Sequence, residues 1–164
     1  MVPAEIPLEY VHFGRWFGSL YRKTQSYMKE SFKELGLGFV DSIVLVVGIM
    51  HEGITQDEIA QKLAIAKAVV AKSVKVLEAK GFIYRKVNEN DMREKHVFGT
   101  PEGIEVKKQI DEKVELWNIM LVEDLTEEER RFVFPALRKL SHTATKTSIP
   151  EFIKQTKKGK KSKS

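Results

Sequence analysis

The chain has 164 residues, 42% of them hydrophobic and 31% charged, enough apolar material for one folded core and too much for a disordered polypeptide. It contains no cysteine, which excludes disulfides, thiolate catalysis and cysteine-based redox sensing. The net charge of +5 is matched by Lys157, Lys158, Lys160, Lys161 and Lys163 at the end of the chain, so the remainder is formally neutral and total charge alone does not argue for nucleic acid.

Met1 to Leu8 has no basic segment followed by an apolar run, so no secretory signal is expected and the protein should be cytoplasmic. Tyr10, Phe13, Trp16, Phe17, Leu20, Tyr27 and Met28 then recur at largely helical spacing and predict a helix from about Leu8 to Phe32. Most of these aromatics fit a core or a dimer seam. Gly36-Leu37-Gly38 reads as a turn, because no third glycine follows at phosphate-loop spacing. Phe39 to Met50 is apolar and rich in β-branched residues, so local propensity permits either a buried strand or a buried helix. It is too short to cross a bilayer, which takes about twenty apolar residues.

Thr55-Gln56-Asp57-Glu58 has the form of a capping box, with Ile54 and Ile59 at the two positions of a hydrophobic staple and Leu63 one turn later. After a break near Ile65 and Ala66, Val70, Val74 and Leu77 mark the buried arc of a second short helix that Gly81 ends. Its opposite arc carries Ala68, Ala71, Lys72, Lys75 and Ala79, with Lys67 at the first turn. Taken alone this is a solvated lysine face. Its small side chains would also let a backbone enter a major groove while the lysines reach phosphates or bases. Context is supplied by Phe82 to Val87, the turn residues Asn88 to Asp91, and a returning strand from Arg93 to Phe98, which together predict a basic hairpin. Thr100-Pro101 fits an N-cap and first turn directly after it. Two short helices and a hairpin are the plan of a winged helix. Charge follows the same division: Ile59 to Phe98 has nine basic and four acidic residues, whereas Gly99 to Arg130 has four basic and ten acidic.

Beyond the hairpin, Val106, Ile110, Val114, Trp117 and Leu121 form the stripe of a helix of about five turns. A second capping box at Thr126 to Glu129 starts a last helix, whose inner face is marked by Val133, Leu137 and Leu140 and which Pro135 should kink. The lysine, glycine and serine tail is expected to be disordered. His12, His51, His96 and His142 are scattered, and no nucleophile elbow, Walker loop or dinucleotide fingerprint is present. Neither catalysis nor a metal or cofactor is expected.

Four runs in register, Ile54 to Ala60, Leu77 to Ile83, Asp91-Met92-Arg93 and Thr100 to Gly103, resemble the MarR family of transcriptional regulators. The resemblance implies a mainly α (α+β) fold, a winged helix-turn-helix with N- and C-terminal dimerisation helices, and makes Phe39 to Met50 a buried helix ending near His51 to Gly53. Residues 1–36 would hold the N-terminal helix, with dimerisation and ligand-pocket roles, and 37–100 the DNA-binding domain. Residues 101–148 would be the C-terminal dimerisation helices and 149–164 a basic, disordered tail. A homodimer would set two recognition helices about one turn apart on a pseudo-palindromic double-stranded operator. DNA contacts would come from Thr55 and Gln56, from Lys67, Lys72 and Lys75, and from Ala68, Val69 and Ala71 against thymine methyls. Arg85 and Lys95 would add charge from the hairpin strands, and Asp91 would hold Arg93 in the minor groove. Phe13, Trp16 and Phe17 would line a cavity for a small aromatic or phenolic acid that lowers DNA affinity. Two departures stand out. Ala66 occupies the recognition-helix cap, where relatives usually have Asp or Ser and a cap contributes about 1 kcal/mol. Val69, Ala71 and Val76 replace polar readers, which shifts specificity toward DNA shape, the wing or A·T-rich sites. The competing reading is a protein-interaction module using the patch of Ala68, Val69, Ala71 and Val76.

Overall fold

A computed structural model describes residues 8–87 and 95–161, with side chains placed from 12 to 87 and from 95 to 156. The described elements run α1 (Leu8–Ser31), α2 (Phe39–Met50), β1 (Ile54–Thr55), α3 (Gln56–Leu63), α4 (Lys67–Ala79), β2 (Ile83–Val87), β3 (Lys95–Gly99), α5 (Pro101–Val122), α6 (Glu127–Lys146) and α7 (Ile149–Lys161). They fall into two compact units, Met1–Ile119 and Met120–Ser164. The fold is a mainly α winged helix.

The core of the first unit is built on α2. Phe39–Met50 is helical despite its β-branched content, because burial against α4 and β3 outweighs a local preference of a few tenths of a kcal/mol per residue. Val44 and Leu45 are fully enclosed with Ile59, Val70, Val74, Leu77 and Val97. Ser42, equally buried, donates its hydroxyl to the Gly38 carbonyl at 3.0 Å, so no polar group is stranded there.

The sheet has the order β1-β3-β2 and is antiparallel throughout. Tyr84 faces Phe98, Arg85 faces Val97 and Lys86 faces His96. β1 adds Ile54 opposite Val97 and Thr55 opposite His96, extending the expected hairpin by a third, two-residue strand. The hairpin turn, with Asp91 and Arg93, lies outside the described residues.

α5 packs on α1 through Tyr27 and Trp117, whose rings stack at 4.7 Å. The Trp117 indole N–H donates to the Thr24 hydroxyl at 2.9 Å, and the Tyr27 hydroxyl donates to the Lys113 carbonyl at 3.1 Å. Ile110 is buried, and Val106, Val114 and Trp117 border the core, as their stripe requires; Leu121 is exposed.

In the second unit α6 begins at the expected capping box on Thr126 and Glu129. Two expectations are corrected here. Leu137 and Leu140, expected on the inner face of α6, are exposed, while Val133 is half-buried. Nor is α6 the last helix, because the tail expected to be disordered from 149 opens as α7. Ser148 precedes it, Pro150 suits its first turn, and Ile149, Phe152 and Ile153 recur at helical spacing, a signal hidden by the lysine-rich composition.

Candidate nucleic-acid interface

Thr55 and Glu58 cap α3 reciprocally. The Glu58 N–H donates to the Thr55 hydroxyl at 3.2 Å, while the Glu58 carboxylate accepts the Thr55 N–H at 2.9 Å and its hydroxyl at 2.8 Å. These bonds favour the ionised form and hold the Glu58 carboxyl below its ordinary value. The Thr55 hydroxyl expected to meet DNA is thus engaged in the cap, and Gln56 beside it is half-buried. The turn to α4 passes through Ala64 in the left-handed region, φ 52° and ψ 41°. Ala66 is extended and supplies no side-chain cap, as its residue type dictates.

Val70, Val74 and Leu77 clamp α4 to the core with no measurable exposure. The opposite arc therefore points outward: Lys67, Ala68, Val69, Lys72 and Lys75 are exposed and Ala71 is half-exposed. Lys72 and Lys75 have no ion-pair partner among the described residues. Lys67 is different, since its ammonium lies 2.5 Å from the Asp57 carboxylate at the start of α3.

Arg85 does not stand free beside these lysines. Its Nε donates to Glu78 Oε1 at 3.0 Å and its Nη2 to Oε2, a two-point contact between β2 and the last turn of α4. This bonding pulls the Glu78 carboxyl down and pushes the Arg85 guanidinium up, against a smaller opposing effect of burial. Lys95 is exposed on β3 and adds a weaker attraction for Glu78. On the other face of the hairpin Tyr84 stacks on Phe98 at 5.3 Å, with the Lys86 ammonium 5.6 Å and 5.1 Å from the two ring centroids. His96 Nδ1 sits 2.6 Å from the Gly53 carbonyl and ties the sheet to the turn before β1. The cluster of Tyr84, Lys86 and Phe98 escapes a linear reading, although alternation along β2 combined with the cross-strand register would have found it.

Phe13, Trp16 and Phe17 are 45%, 58% and 54% exposed on α1. Phe13 and Phe17 stack at 6.1 Å, and His12 lies 5.9 Å from Trp16. They form an open aromatic face in the single chain rather than the lining of an enclosed cavity.

A family model described as "MarR family" matches residues 35–94, a stretch that holds α2, β1, α3, α4 and β2 and stops just before β3. An uncharacterised HTH-type transcriptional regulator, YybA of Bacillus subtilis (strain 168), is 25% identical over 126 residues, covering 77% of this chain and 84% of that protein. The transcriptional regulator SlyA superposes with a TM-score of 0.74 at 27% identity, over 80% of this chain and 92% of that one. Over residues 35–94 the chain is thus similar to the MarR family of transcriptional regulators. A MarR family transcriptional regulator from Listeria monocytogenes, solved with a 26mer DNA, is 29% identical with a TM-score of 0.74, over 80% of this chain and 87% of that one. The proteins it resembles are transcription regulators, and one of them was solved on DNA; the winged helix form is shared with this chain. No helix among the described residues is long and apolar enough to cross a membrane.

Proposed function

We propose that the chain acts as a repressor, binding a pseudo-palindromic double-stranded operator as a homodimer and leaving it when a small aromatic or phenolic acid binds. The observation that carries this reading is the outward arc of α4, where Lys72 and Lys75 stand among small side chains while Val70, Val74 and Leu77 hold the helix from behind. Such a helix can enter a major groove, its alanines close to thymine methyls and its lysines on phosphates or bases. The L. monocytogenes regulator solved with DNA supports carrying a duplex partner over to this chain. Asp91 and Arg93 retain their assignment to the minor groove through the resemblance.

Pairing of two copies is supported by apolar residues left in solvent on the terminal helices: Trp16, Phe17, Leu20 and Tyr21 on α1, and Phe132, Leu137 and Leu140 on α6. The aromatic face of Phe13, Trp16 and Phe17 has the chemistry to stack an aromatic acid, and an acid favouring one spacing of the two reading heads would lower operator affinity by population shift. Selection of bound fragments from the source genome, followed by a footprint, tests the core of the reading. Two protected half-sites centred about 10 base pairs apart are expected. A protein that remains a single subunit and retains no genomic fragment at low salt overturns it. A broad panel of aromatic acids that never changes operator affinity removes the effector while leaving DNA binding in place.

A further inference from the structure

α4 and the hairpin must present themselves to one duplex together, yet only Lys80, Gly81 and Phe82 join them, and Gly81 turns through a left-handed φ of 74°. Leu77 and Ile83 are buried on either side of this joint and fix its depth. Outside the core, Glu78 and Arg85 bridge it as a charged pair. The contact is two-point, through both carboxylate oxygens and two guanidinium nitrogens, so it constrains the plane of the guanidinium as well as its distance. The Arg85 and Glu78 side chains are 22% and 35% exposed, whereas those of Lys67 and Asp57 are 73% and 66% exposed and free to exchange partners with water.

We infer that Glu78 and Arg85 are positioning residues for operator recognition, setting the angle of the wing to the recognition helix, and that Arg85 is not itself a DNA contact. This deepens the operator-binding reading and rests on it. A guanidinium already holding both carboxylate oxygens has exchanged its donors for a fixed place in the fold. Losing either partner leaves the α4 lysines where they are and lets the wing swing about Gly81, so binding to any duplex persists while simultaneous engagement of groove and flank is lost.

The test uses the full-length protein, its selected operator fragment and a random duplex of equal length, with Glu78→Gln, Arg85→Gln, the double variant and Arg85→Lys. Each glutamine variant is expected to lower operator affinity about tenfold, within the range for residues of one charge network, and the double variant is expected to lose no more than either single one. Affinity for random duplex and the slope of log affinity on log salt should hold, because no phosphate contact is removed. Arg85→Lys should recover only part of the loss, since an ammonium cannot reproduce the fork. Melting curves separate these effects from unfolding, and if Arg85→Gln melts below the assay temperature, Glu78→Gln and Arg85→Lys decide the matter. A salt slope reduced by about 0.9 in Arg85→Gln, with tighter binding in Glu78→Gln, would make Arg85 a phosphate contact and overturn the inference. Wild-type affinities in all four variants would overturn it equally. Failure of the wild type to bind any fragment is a separate result that removes operator binding and this inference together.

Discussion

Gly103 lies against the backbone of Phe82 so closely that a β-carbon on it would stand 1.9 Å from the Phe82 carbonyl oxygen. The same oxygen accepts the Thr100 N–H at 3.1 Å, and the Thr100 hydroxyl donates to the Gly81 carbonyl at 2.7 Å while accepting the Gly103 N–H at 3.0 Å. The first turn of α5 is thus stitched to the joint between α4 and β2. Gly103→Ala must displace backbone, not a flexible side chain, and is expected to destabilise the protein by roughly 3–5 kcal/mol in urea denaturation. Gly14→Ala is the control. It lies within α1 with open space around its α-carbon, so the same change there should raise stability by about 0.5–1 kcal/mol through helix propensity.

The turn between α3 and α4 holds a cost that substitution can recover. Ala64 adopts φ 52°, which burdens an L-residue by roughly 1–2 kcal/mol, whereas glycine reaches this region freely at some cost in chain entropy. Ala64→Gly is therefore expected to stabilise by about 1 kcal/mol, seen as a higher urea midpoint at unchanged m. Two residues later, Ala66 is already extended as an N-cap requires and lacks only an acceptor. Ala66→Ser should add a further gain of about 1 kcal/mol. If neither midpoint moves, the backbone assigned to this turn is wrong.

How far such features were legible in the sequence depended on whether their cause was local. The capping boxes at Thr55 and Thr126 are written in four consecutive residues each, and both form. The outward arc of α4 followed from the spacing of Val70, Val74 and Leu77. Phe39–Met50 was undecided by propensity, since its helical state comes from burial against residues distant in the chain. β1 was invisible because two residues carry no periodicity; it exists through the partner strand β3. The bond between Arg85 and Glu78 is not legible, because a charge reads the same in sequence whether its partner is a phosphate or a carboxylate. The start of α7 is hidden for the opposite reason: the lysine-rich composition around it masks the helical spacing of Ile149, Phe152 and Ile153.

Three carboxylates predict the acid limb of stability. Glu58 and Glu129 are held below the ordinary value of 4.5 chiefly by backbone N–H bonds from Thr55 and Thr126, and Glu78 chiefly by its bond to Arg85. A lowered folded-state value means that the contribution is complete above the unfolded value near 4.5 and is lost as pH falls from there through the folded values. Stability from these groups should be flat between about pH 7 and 5.5 and decline below about pH 4.5. Replacing Glu58 and Glu129 by Gln should lower the neutral-pH plateau and flatten the acid decline, as measured by thermal midpoint against pH. An acid limb as steep as that of the wild type would show that the caps do not titrate in this way.

The lysines of α4 should separate by salt dependence. Lys72 and Lys75 enter binding without an intramolecular ion pair among the described residues, so each phosphate contact they make releases counterions from the duplex. Replacing either by alanine should weaken operator binding and reduce the slope of log affinity on log salt by about 0.9. Lys67 must first leave Asp57, and its alanine variant also exposes that carboxylate to the phosphates. Lys67→Ala is therefore expected to lose more affinity than Lys72→Ala, and Asp57→Asn to gain it. Deleting residues 157–164, which removes five lysines, should weaken operator and random duplex alike, leaving their ratio unchanged. Fluorescence anisotropy on both duplexes across a salt series measures all of these slopes. Equal slopes for wild type and Lys72→Ala would remove Lys72 from the phosphate contacts.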